Sequence, residues 1–122
     1  MEITAADISV GTSVDGRIRL KREFRDGYDF RAYARAILLA RRLLEKPDLV
    51  RRGRSFLERH VRTDPHQKRI YELWTETLQL PVDELVGRFL ADDERGAALR
   101  ETAPVFVVIP PEDVRALAKS IC

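Results

Sequence analysis

The side chains best suited to chemistry in this sequence sit between positions 51 and 69. Arg51, Arg52, Arg54, Arg59 and Arg62, extended by Lys68 and Arg69, form its strongest basic feature. A guanidinium is a planar fork that holds a carboxylate or a phosphate through two hydrogen bonds at once. Several of them on one helix, beside the start of another, bind phosphate by charge and through exposed main-chain N–H groups. Reading bases takes more, and the stretch offers no Asn and a single Gln, Gln67, of the types that commonly read adenine. Its chemistry is contact with carboxylates or phosphates. A solvated helix face balanced by acidic residues of its own or a neighbouring chain accounts for the same pattern.

A second group, Arg62, Asp64 and His66, has the residue types of an acid–base pair, since a carboxylate can orient an imidazole. Asp64 precedes Pro65, however, and an Asp-Pro step is explained more simply as a helix cap followed by a first helical position. His60 and His66 lie on either side of the break expected at Thr63-Asp64-Pro65, so spacing does not pair them as metal ligands. Serines are few, the glycines are scattered singly, and the one cysteine is Cys122. That leaves no intrachain disulfide, no multi-cysteine metal site and no phosphate-cradling glycine loop. No catalytic residue, metal ligand or cofactor is nominated, and the expectation is a protein that is not an enzyme.

The charge is unevenly spread. Residues 17 to 69 hold seventeen Lys and Arg against seven Asp and Glu, whereas residues 70 to 122 hold five against ten. A net charge of +2 therefore hides a basic middle and an acidic final third. Such asymmetry speaks of partners or of self-association and not of fold. A GC-rich genome explains why eighteen of the twenty-two cations are arginine, but not why they gather in one half.

These residues need elements to position them. The chain has 122 residues, of which 44% are apolar and 34% charged, the size and composition of a single globular domain over 1–122. No apolar run approaches the roughly 18 residues of a membrane span, and the start lacks the blocks of a signal peptide, so the expected location is cytoplasmic. From Ile8 through Val10, Val14, Ile18 and Leu20 to Phe24 the apolar residues fall on even positions, predicting a β-hairpin in the 1–26 region. Its turn lies at Asp15-Gly16, and the register asks for a three-residue loop or a bulge.

From Asp29 the period becomes helical through Phe30, Tyr33, Ala34, Ile37, Leu38, Ala40 and Leu44, opening a helical core over 29–122. Pro47 stops the first helix and Asp48 is placed to cap a second, with Leu49, Val50, Gly53, Phe56, Leu57 and Val61 on its apolar side. Pro65 opens a third with Ile70, Tyr71, Trp74 and Leu78, read as core. Pro81 begins a fourth, Asp92 or Asp93 caps a fifth, and Pro111 starts the last. Val105 to Ile109, bracketed by Pro104 and Pro110, is either a buried strand that would join the hairpin or an extended core-filling segment. Tyr28, Phe30 and Tyr33 either seal the joint between hairpin and first helix or anchor a partner. The expected class is mainly α (α+β): five to six short helices, an N-terminal β-hairpin and an extra strand at 105–109 if that run pairs.

Leu73-Trp74-x-x-x-Leu78, the Leu85 to Leu90 segment and Ala98-Leu99-Arg100-Glu101-Thr102-Ala103-Pro104-Val105-Phe106 give residues 36–119 a weak resemblance to a loose group of short uncharacterised bacterial helical proteins. Some members are encoded near toxin–antitoxin or defence-type genes. The resemblance implies a bacterial antitoxin-like or accessory role and transfers no site residue. The sequence as a whole is read as an interaction or regulatory protein that binds a protein partner and self-associates as an oligomer, without a membrane or a small-molecule cofactor. A nucleic-acid-binding regulator using the Arg-rich helix is the alternative, and a small hydrolase or nuclease the second.

Overall fold

The computed structural model describes Lys21 and residues 23–121, and among these it is mainly helical, with no strand. Six α-helices follow one another: α1 (Gly27–Glu45), α2 (Leu49–Phe56), α3 (Lys68–Thr77), α4 (Val82–Leu90), α5 (Glu94–Glu101) and α6 (Pro111–Ile121). The β-hairpin expected over 1–26 lies almost entirely outside the described residues.

α1 is the central element, with Phe30, Tyr33, Ala34, Ala36, Ile37, Leu39, Ala40 and Leu43 all buried. So wide an apolar stripe needs cover on more than one side, and α4 and α6 both pack on it. The start of α1 is tied twice. The Asp26 carboxylate accepts from the Asp29 N–H at 2.8 Å, and the Asp29 carboxylate reaches back to the Arg25 N–H at 3.1 Å, the reciprocal logic of a capping box. Pro47 ends the helix as expected, because the residue before a proline is pushed out of the helical region and Lys46 adopts φ −133° and ψ 79°.

Asp48 does not act as the expected side-chain cap of α2. It sits in helical geometry and its carboxylate makes no capping bond. α2 instead runs on through a π-helical turn, Leu57–Val61, marked by the Arg62 N–H donating to the Leu57 carbonyl at 2.8 Å. The sequence explains the widening. Leu49, Gly53, Leu57 and Val61 recur every fourth residue, a longer repeat than the about 3.6 residues of an α-turn. A wider last turn keeps Val61 in the core while His60 stays exposed.

The next boundary is capped as the sequence predicts. The Asp64 carboxylate accepts from the His66 N–H at 2.9 Å, and Pro65 opens a 3-10 turn, Pro65–Gln67, that leads into α3. Asp93 caps α5 by accepting from the Gly96 N–H at 2.6 Å.

Trp74 is the centre of the core and fully buried. Its ring lies 5.8 Å from that of Phe106 and 6.1 Å from that of Phe89, so it joins α3 to α4 and to the segment after α5. Its indole N–H donates to Thr102 Oγ1 at 3.0 Å, and that hydroxyl in turn donates a hydrogen bond to the Ala98 carbonyl at 2.6 Å. Every buried side-chain polar atom among the described residues has a partner, as a dry core demands.

The 105–109 run is not a strand: it is extended, without ladder pairing, and only partly buried. Phe106 is 1% exposed, but Val105 and Val108 are 48% and 80% exposed. One aromatic anchor draws the segment onto α2 and Trp74, and the two prolines that bracket it each lack a main-chain donor. The segment thus anchors in the core at Phe106, with Val107 half-buried against it, and leaves Val105 and Val108 outside.

Candidate functional site

α2, its π turn and the start of α3 carry the predicted basic set. With the four-residue apolar ridge turned inward, Arg51, Arg52, Ser55, Arg59, His60 and Arg62 are left exposed, and Lys68 and Arg69 follow on the exposed side of α3. The set divides by what each guanidinium touches. Arg54 donates to the Leu78 carbonyl at 2.8 Å, where it satisfies the C-terminal end of α3, an end that attracts cations. Arg52 leans on the Phe106 carbonyl at 3.4 Å. Arg62 pairs with Glu58 at 3.1 Å, and Glu58 also accepts from the Tyr71 hydroxyl at 2.8 Å. Those two hydrogen bonds hold the Glu58 carboxyl below its usual range. Arg52 and Arg54 thus lean on carbonyls of other elements, which the sequence pattern does not predict, while Arg62 is held in a surface pair one turn away.

Arg51, Arg59, Lys68 and Arg69 are different. Each is exposed, and none of their side chains has an ion pair or hydrogen bond among the described residues. These four are the open cations of the face.

The acid–base group around Asp64 is not assembled as such. The Asp64 carboxylate accepts from the His66 main chain and, at 2.6 Å, from Gln67 Nε2. The Gln67 amide and the His66 N–H hold it below its usual value. It is engaged as a cap, with Arg62 turned to Glu58 and His60 resting against Phe56 with ring centres 5.0 Å apart. Among the described residues no three His, Cys, Asp or Glu gather as a metal would require.

A buried polar knot that sequence reading does not single out lies at the end of α4. Arg100 Nη1 donates to the carbonyls of Phe89 at 3.0 Å and Ala91 at 2.8 Å, and the Tyr33 hydroxyl donates to the Leu90 carbonyl. The guanidinium carbon stands 5.0 Å from the centre of the Tyr33 ring. Burial raises the Tyr33 phenol above its ordinary value and lowers Arg100. Three consecutive carbonyls at a helix end are thereby satisfied.

Of the aromatic trio, Phe30 and Tyr33 are buried and Tyr28 is 73% exposed. Phe24 packs edge-on against Phe30 at 4.9 Å and lies 5.7 Å from Tyr33, so those two members meet the residues just before α1 while Tyr28 stands outside that contact; the hairpin they were expected to join lies outside the described residues. No helix among the described residues is long and apolar enough to cross a membrane. Compared with protein-family models, with curated proteins and with solved structures, the chain matches none.

Proposed function

We propose that the protein is a non-enzymatic interaction module that uses the basic face of α2 and α3 to dock an acidic protein surface, including that of a second copy of itself. The observation that carries this is the set of four exposed cations, Arg51, Arg59, Lys68 and Arg69, without partners among the described residues. α4, α5, α6 and the turn between α4 and α5 present exposed Asp83, Glu84, Asp92, Glu94, Glu101, Glu112 and Asp113. A two-fold arrangement lets the basic face of each copy meet the acidic face of the other. A bacterial regulatory role of the antitoxin or accessory type is the biological form of this reading.

Light scattering after gel filtration tests it. The mass is expected to exceed 14.1 kDa at low salt, to fall toward the monomer as salt screens the contact, and to be monomeric for Arg51→Glu combined with Arg59→Glu. A monomer at every salt concentration rules out self-association.

The same four cations also favour a second reading, a nucleic-acid-binding regulator, because Lys68 and Arg69 stand at the N-terminal end of α3. Fluorescence anisotropy with duplex DNA and with RNA decides it: binding must weaken steeply as salt rises, and no binding at low salt ends the idea.

A further inference from the structure

A second set of open cations lies in a groove on other elements, independent of the basic face of α2 and α3. Between α1 and α6, Tyr28, Arg31, Arg35, Pro111, Val114 and Arg115 line a space of about 190 Å³. Arg31 and Arg35 are one helical turn apart on α1, and Arg115 lines the groove from α6. All three are exposed, and none has an ion pair or hydrogen bond among the described residues. The nearby acids leave them free. Asp29 is taken by Lys21 at 3.1 Å and by the Arg25 N–H, while Glu112 and Asp113, in the first turn of α6, are exposed and form no ion pair with them. The floor is apolar, with Val114 2% exposed, and the rim carries the Tyr28 ring.

The dimensions restrict what fits. The space equals about six water volumes, enough to seat one tetrahedral oxyanion and the start of its organic part. It is smaller than the roughly 300 Å³ at which enclosed ligand pockets begin, so the remainder of a ligand stays outside, where Tyr28 is the only aromatic on the rim. Three guanidinium forks suit an anion with several equivalent oxygens and two charges better than a single carboxylate. An exposed aromatic face beside them suits a nucleobase.

We infer that the α1–α6 groove binds a nucleoside monophosphate, its phosphate held by Arg31, Arg35 and Arg115 and its base stacked on Tyr28. Calorimetric titration of the full chain with AMP tests this, with inorganic phosphate, adenosine and phosphoserine as comparison probes. AMP is expected to saturate one site, and Arg35→Ala and Arg115→Ala each to weaken it about tenfold, the usual scale for a charge-assisted hydrogen bond. Tyr28→Ala is expected to reduce AMP to the affinity of inorganic phosphate, adenosine not to bind, and Arg88→Ala, an exposed α4 position outside the groove lining, to leave AMP binding unchanged. These positions are exposed, and circular dichroism checks that each variant folds. Nucleotide binding in the groove is overturned if AMP shows no saturable binding, if adenosine or phosphoserine binds as well as AMP, or if Arg88→Ala weakens AMP as much as Arg115→Ala does.

Discussion

Gly53 and Phe106 share one volume: the Phe106 ring occupies the space into which a Cβ at position 53 would project, with Cδ1 only 2.9 Å from it. The absence of a side chain in α2 is what allows the segment after α5 to lie against it, and the same ring then reaches Trp74. Gly53→Ala would gain up to about 1 kcal/mol of helix propensity. Overpacking a buried ring costs about 1–3 kcal/mol, so a net loss is expected in urea denaturation. Phe106→Leu should relieve part of that loss in the Gly53→Ala background, and strictly additive effects would show that the two positions do not compete for space.

The Trp74 indole N–H is buried and depends on one acceptor, Thr102 Oγ1. Thr102→Val keeps the shape and removes that acceptor, leaving a buried donor unmet at a cost of about 1–3 kcal/mol. Trp74→Phe in the same background should cost less than it does in the wild type, because the orphaned N–H leaves with the ring. A double-mutant cycle read from urea midpoints checks this, and a coupling of zero would mean that the indole finds another partner.

How far the sequence spoke for itself differs from helix to helix, and the reason is local. Caps and breaks at Pro47, Asp64-Pro65, Asp93 and Pro111 were readable because proline geometry and carboxylate capping act within a few residues. The course of Val105 to Ile109 was not, since a run of β-branched residues states a preference for extended backbone but not whether a partner strand exists. The basic face was legible as composition. Which arginines are open was not: Arg54 finds the Leu78 carbonyl 24 residues away and Arg52 the Phe106 carbonyl 54 residues away, and only the packing of α2 decides that. The Arg31, Arg35 and Arg115 groove was hidden for the same reason, its halves being some eighty residues apart along the chain.

Acid should weaken the entry to α1. Burial alone would raise the Asp29 carboxyl, but the Arg25 N–H and Lys21 outweigh it and hold the group below its ordinary value of 3.8. The unfolded chain therefore takes up the proton first, so the contribution is present above about pH 4 and is lost as pH falls through the lower folded value. Asp29→Asn should be less stable than wild type at neutral pH and should converge with it as the solution is acidified. Denaturation midpoints measured down the acid limb check this, and parallel curves would assign the effect to another carboxylate.

Arg100 holds the end of α4 by supplying one nitrogen to two carbonyls while its guanidinium lies by Tyr33. Arg100→Met keeps much of the side chain's bulk and removes the donors, leaving the Phe89 and Ala91 carbonyls in a half-buried site. Hydrogen bonds from charged groups are worth about 1.5–3 kcal/mol, so a loss of that size is expected in thermal or urea unfolding. Arg100→Lys keeps a charge and can reach a carbonyl but lacks the planar fork beside the Tyr33 ring, and it should fall between the two. Tyr33→Phe, which frees the Leu90 carbonyl, should be less than additive with Arg100→Met because both act on the same helix end. If Arg100→Met changes stability by less than about 0.5 kcal/mol, the carbonyls are meeting water instead, and the knot is a surface feature and not part of the core.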